Sequence, residues 1–429
     1  MESRSDTPVS STDPREAIDA VWRIESAKLI AGLARMVGDI STAEELAQDA
    51  LVAALEQWPQ SGVPQKPAAW LAAPAKHHAI DRFRRDERFG RKFEELSRNG
   101  QRNEAQAAAR FDEALDDDYG DDLLRLIFMA CHPVLAREAK VALTLRLLGG
   151  LTTEEIARAF LVPVATIAQR IVRAKRTLAE ARVPFEVPSV VERTARLESV
   201  LEVIYLIFNE GYAAATGDDW MRPALCEDAL RLGRMLAELM PQEAEVHGLV
   251  ALMEIQASRM SARIGRAGEV LTLYEQDRMR WNHLLIRRGL AALNRAKALG
   301  GELGPYALQA AIAACHARAH SVEETDWTRI VALYDALAEL TPSPIVELNR
   351  AVAVGQAFGP EAGLEITNAL SIEPALKTYH LLPAVRGDLL EKVGRLEEAR
   401  DQFEIAASLT KNVRERELLL HRAAKTYGR

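Results

Sequence analysis

The sequence predicts an all-α protein, on three observations. Ala, Leu, Glu and Arg dominate long stretches, with no Val/Ile/Thr alternation of the kind that marks half-buried strands. Apolar residues recur at three- and four-residue intervals, the spacing that lines one helix face. Ser or Thr followed three residues later by Glu opens several of these segments, and Pro- or Gly-rich stretches close them. At 429 residues, 48% hydrophobic and 27% charged, the chain suffices for roughly two to four domains, each with its own core.

The first element, residues 1–15, is a polar tail without the apolar centre of a signal peptide. No later run is long and uncharged enough to span a bilayer, so a cytoplasmic protein without membrane attachment is expected. Cys131, Cys226 and Cys315 are far apart and lack metal-type spacing, which predicts three reduced, buried thiols.

The second element, residues 16–90, contains STAEELAQDALVAALEQWP, with overlapping capping boxes at Ser41/Glu44 and Thr42/Glu45. Leu46, Ala50, Ala53, Ala54 and Trp58 form its apolar side, leaving Glu44, Glu45, Gln48 and Asp49 outward. A loop, Pro59 to Pro67, is too rich in Pro and Gly for a helix. Helix resumes in AAWLAAPAKHHAIDRFRRDER, anchored by Trp70, Leu71, Ile80 and Phe83. His78 and Asp81 share a face there, but His77 lies about 100° away, so no metal ligand set forms.

Charge is uneven. The formal net charge is -8, yet bases outnumber acids from Lys76 to Arg102 and again from Arg170 to Arg176. Between them lies FDEALDDDYGDD, Phe111 to Asp122, part of a linker expected over 91–121. Solvated faces and a flexible acidic tether would account for this pattern, but each basic cluster belongs to a patterned helix, which makes that reading less attractive.

The fourth element, residues 122–184, holds GLTTEEIARAFLVP and VPVATIAQRIVRAKRTL. Thr152 and Glu155 have capping-box spacing, and Leu161 to Pro163 breaks the helix. A second helix follows, with Ile167, Ile171, Ala174 and Leu178 as its buried stripe and Thr166, Gln169, Arg170, Arg173 and Arg176 largely opposite. Two short amphipathic helices around a tight turn are the pattern of a helix-turn-helix. Arg can pair bidentately with guanine or grip phosphate, and Gln can read adenine. Alone, the pattern fits a solvated hairpin equally well.

After the Pro-rich hinge Val183 to Ser189, residues 185–429 read as successive amphipathic helices. In RGDLLEKVGRLEEARDQFEIAASL, Gly387, Gly394, Ala399, Phe403 and Ala406 have tetratricopeptide-like spacing, and VELNRAVAVGQAFGPEAGLEI is a looser copy about 37 residues earlier. YLIFNEGY (Tyr205 to Tyr212), EQDRMRWNH (Glu275 to His283), ACHA and ETDW juxtapose acid, arginine and aromatic residues. An interhelical polar network is favoured there over a ligand site.

Together, GDISTAEELAQDALVAALEQWP, PAAWLAAPAKHHAIDRFRRDE and the segment from Asp121 to Ala181 resemble the two domains, sigma-two and sigma-four, of a bacterial extracytoplasmic-function RNA polymerase sigma factor. The resemblance covers roughly the first 185 residues, and the later motifs look like those of sigma factors with a large helical extension. It implies that Glu45, Leu46, Gln48 and Asp49 meet the clamp of the largest polymerase subunit, the flap being a second polymerase contact. It implies that Trp70, His77, Arg82, Arg84, Arg85 and Arg88 bind and melt the downstream (minus-ten) promoter element, aided by the loop Gln60 to Lys66. Thr166, Gln169, Arg170, Arg173 and Arg176 would face the upstream (minus-thirty-five) element. The linker would thread the RNA channel or act as a plain tether. Pro74, where relatives continue a helix, and His77, where many have Asn or a base, depart from the family pattern.

The function expected is therefore promoter-specific initiation, with core RNA polymerase and promoter DNA as partners. The C-terminal TPR-like extension would regulate activity through a regulatory protein or an intramolecular contact. The alternative is a polymerase-independent helix-turn-helix repressor or activator with a ligand- or peptide-sensing repeat domain. No phosphate loop, dinucleotide fingerprint, nucleophile elbow or metal cluster appears, so neither an enzyme nor a cofactor is expected.

Overall fold

A computed structural model describes residues 14–75, 77–79, 119–213, 221–265 and 269–426. Among these the fold is all-helical, interrupted by short 3-10 turns and one isolated bridge between Ile264 and Val270. No helix among the described residues is long and apolar enough to cross a membrane. The chain divides into two compact units, up to Val203 and from Ile204 onward. The division falls inside one continuous helix, Val190–Tyr212.

In the first unit, helix Pro14–Val37 pairs with helix Ile40–Ser61. The second helix buries Leu46, Ala50, Ala54 and Trp58, as its spacing predicts. It also runs one turn beyond the expected break at Pro59. A proline in the last turn forfeits one backbone bond, and the Gly62 N–H still reaches the Trp58 carbonyl. The non-helical stretch is thus 62–66, and helix resumes at 67.

Helices Tyr119–Ala130, Arg137–Leu147, Thr153–Phe160 and Val164–Glu180 follow in the same unit. The first half of helix Val190–Tyr212 is tied to them, because Ser199 donates to the Cys131 carbonyl and accepts from Lys140, both at 2.8 Å. All three cysteines are free and buried. Burial pushes the Cys131 thiol up to about 11 and Cys226 to about 12.

The second unit stacks helix pairs. Ala251, Leu252, Ile255, Leu293, Ala310 and Ala314 share one core cluster. Farther along, Phe403, Ala399 and Ala406 are buried with Leu389 and Leu390. A Cβ at Gly387 would sit 2.7 Å from the Phe403 ring, so the glycine permits the close approach that its spacing anticipated.

Candidate nucleic-acid interface

The helix-turn-helix is built from local signals. Glu155 N–H donates to Thr152 Oγ1 at 3.1 Å, and Thr152 N–H donates to Glu155 Oε2 at 2.8 Å, completing the capping box. The other carboxylate oxygen of Glu155 accepts from Arg23 at 2.8 Å, which fastens the motif to the first helix of the unit. Leu161 ends helix Thr153–Phe160 in the left-handed region, at φ 51°. That conformation is costly for a residue with a branched side chain. Leu161→Gly is therefore expected to raise stability by up to about 1 kcal/mol, read as a higher urea midpoint.

Helix Val164–Glu180 begins directly after Pro163 and buries Ile167, Ile171, Ala174 and Leu178. Gln169, Arg173 and Arg176 are exposed, while Thr166 and Arg170 are half-buried beside them. Arg176 leans toward Glu180 at 3.4 Å, an exposed pair of the kind that contributes little stability. The polar face is thus open, and guanidinium and amide donors line it at helical spacing.

The opposite flank of this helix is committed to protein. Lys175 pairs with Glu44, whose other oxygen accepts from Arg146 at 2.6 Å. Arg146 also donates to the Leu151 carbonyl at 3.1 Å, just before the capping box. Glu44, expected to face outward, is only 6% exposed. Burial alone would raise its pKa, but attraction to Lys175 and Arg146 outweighs this and holds it below the usual carboxylate value. Sequence spacing could not reveal this cluster, because its members lie on three separate helices.

On helix Ile40–Ser61 the structure leaves Glu45 and Asp49 exposed and Gln48 half-buried, bonded to Glu44 at 2.8 Å. Leu46, which the family resemblance places among the polymerase contacts, is buried on the apolar stripe with Ala50 and Trp58, as its spacing predicts. Trp58 meets Trp70 edge to face at 5.2 Å, which seats the next helical segment against this one. His77 is exposed, and His78 lies 3.6 Å from Asp49. Arg82, Arg84, Arg85 and Arg88, and the linker up to residue 118, lie outside the described residues.

Comparison with known proteins matches this chain in three segments. Sigma-70 region 2 matches residues 25–89, sigma-70 region 4 matches 125–178, and a family of unknown function, DUF6596, matches 196–297. The chain is also 44% identical over 384 residues to an uncharacterized protein of Rhizobium meliloti (strain 1021), a match covering 89% of each chain.

Proposed function

We propose, from the premise that this chain belongs to the sigma-70 class of RNA polymerase sigma factors and carries a C-terminal helical extension, that it is of the extracytoplasmic-function type and that its extension regulates initiation. The open Gln/Arg face on a capped helix-turn-helix carries the reading of DNA contact. Gln169, Arg170, Arg173 and Arg176, with Thr166 at the entry of the helix, read the upstream element through the major groove. Trp70 and His77 stand near the downstream element, and Arg82, Arg84, Arg85 and Arg88 follow the backbone of the opened strand.

Glu45, Gln48 and Asp49 meet a basic surface on the clamp of the largest polymerase subunit, where opposite charge speeds docking. Leu46 would support that surface from beneath. A second contact, from the sigma-four domain, is made to the flap. The protein does no covalent chemistry, and the extension acts through a regulatory protein or by contact within the chain.

Transcription reconstituted with core polymerase and promoter DNA tests this reading. Arg173→Ala should weaken binding to upstream duplex by about 1–3 kcal/mol and relax sequence preference there. Joint replacement of Arg84 and Arg85 by Ala should weaken binding and opening at all sequences and flatten the salt dependence. Truncation after Tyr212 should change promoter-directed output while leaving the bonds of Ser199 in place. Absence of promoter-directed initiation and of polymerase binding, with both full-length and truncated protein, would refute the proposal in favour of a polymerase-independent regulator.

A further inference from the structure

The second unit holds a cationic stack for which promoter recognition has no use. The guanidinium carbon of Arg263 lies 3.8 Å from the centroid of the Tyr212 ring. That of Arg259 lies 5.9 Å from the same ring and 5.7 Å from Trp281, and that of Arg278 lies 5.3 Å from Trp281. Three cations and two rings therefore alternate, with Arg259 in the centre. Attraction to an aromatic face favours each arginine, but it does not remove the repulsion among three like charges brought together.

Negative charge is scarce around Arg259 and Arg278 among the described residues. Among the described residues no carboxylate lies within ion-pair distance of Arg259 or Arg278. Glu323 and Glu324 attract Arg278 from farther away, and Glu415 offsets part of the charge of Arg263. Burial pulls the pKa of both Arg263 and Arg278 down, a sign that their charged forms are poorly solvated.

Among the described residues the same place holds buried polar nitrogens without hydrogen-bond partners: Arg259 Nε, Arg278 Nε, Trp281 Nε1 and His316 Nδ1. Trp281 is 3% exposed and His316 9%. Burial, then Arg259 and Arg278, pulls His316 down to about 3, so its imidazole is neutral at pH 7 and can donate from one ring nitrogen. Buried donors left without an acceptor are costly, so a group that supplies acceptors is favoured here.

The arginines differ in commitment. Arg278 holds the last turn of helix Pro305–Arg318 and the chain after it through the carbonyls of His316 and Ala319, at 3.0 and 2.8 Å, and through Thr325 Oγ1 at 3.1 Å. Among the described residues the Arg259 guanidinium donates only to the Gln256 side chain, three residues back, and Arg259 is partly exposed, so a ligand can approach it from solvent.

We propose that this cluster binds a small oxyanion, a phosphate or carboxylate group, with Arg259 and Trp281 Nε1 as its principal donors and His316 and Arg278 beside them. Such a group brings together the two things lacking here, negative charge and several acceptor oxygens. A neutral ligand would bring only the acceptors, and a cation would be repelled.

Calorimetric titration of the full-length protein with inorganic phosphate, and separately with acetate, at an ionic strength fixed by sodium chloride, tests the site. Saturable heat in the phosphate arm identifies a phosphate group, and saturable heat in the acetate arm a carboxylate. Arg259→Gln should weaken binding by at least about tenfold, equal to about 1.4 kcal/mol. Trp281→Phe keeps a ring for the stack and removes only the N–H, so it should weaken binding while leaving the anion-free unfolding midpoint within a few degrees. No saturable heat with either anion overturns the proposal, and so does unchanged affinity in both folded variants.

Discussion

Glu44→Ala is expected to destabilise the first unit by about 3 kcal/mol at neutral pH, measured by urea unfolding. A loss at the low end of the range for breaking a buried ion pair is expected because Arg146 and Lys175 retain some access to water once their partner is gone. The loss should depend on pH with a definite sign. Net, the native fold holds the Glu44 pKa below its ordinary value of 4.5, so its stabilisation is complete above that pH. As pH falls through the lowered native pKa the carboxylate takes up a proton, the contribution disappears, and the gap between wild type and variant should close. A gap equally wide at neutral and strongly acid pH would show that lost packing, rather than charge, is responsible.

This carboxylate also shows where sequence reading reaches its end. Local signals were legible: the Thr152/Glu155 capping box and the stripe Ile167, Ile171, Ala174 and Leu178 each lie within a few turns of helix, and the structure builds both. Helical spacing groups Glu44 with Glu45 and Asp49 on the outer face, yet the structure buries it. Its burial depends on Arg146, 102 residues away in sequence, which no periodicity encodes. Leu46 shows the reverse relation, since the apolar stripe predicts its burial, while the resemblance names it a polymerase contact. The arginine and aromatic motifs of the second unit read in sequence as an interhelical polar network. Their alternation, and the donors left without partners, emerge only once Tyr212, Arg259 and Trp281 are brought together in space.

Phe403→Ala should cost the second unit about 3–5 kcal/mol, the usual range for emptying a large aromatic site in a core. The side chain is 0% exposed, and the guanidinium carbon of Arg422 lies 4.4 Å from its ring centroid, so no water compensates for the lost contacts. In stacked helices each element touches mainly its neighbours, which confines the damage. Hydrogen exchange should accelerate in helices Leu381–Lys392, Leu396–Leu409 and Val413–Thr426 and remain unchanged in Val164–Glu180. The glycine opposite sharpens the test. Gly387→Ala places a methyl 2.7 Å from the ring, so in the wild-type background it should cost about 1–3 kcal/mol by overpacking. In the Phe403→Ala background the same methyl enters vacated space, and its cost should shrink to nearly nothing. Strong non-additivity of this sign follows only if the two residues share one packing site, whereas simple additivity would mean that the glycine serves backbone conformation alone.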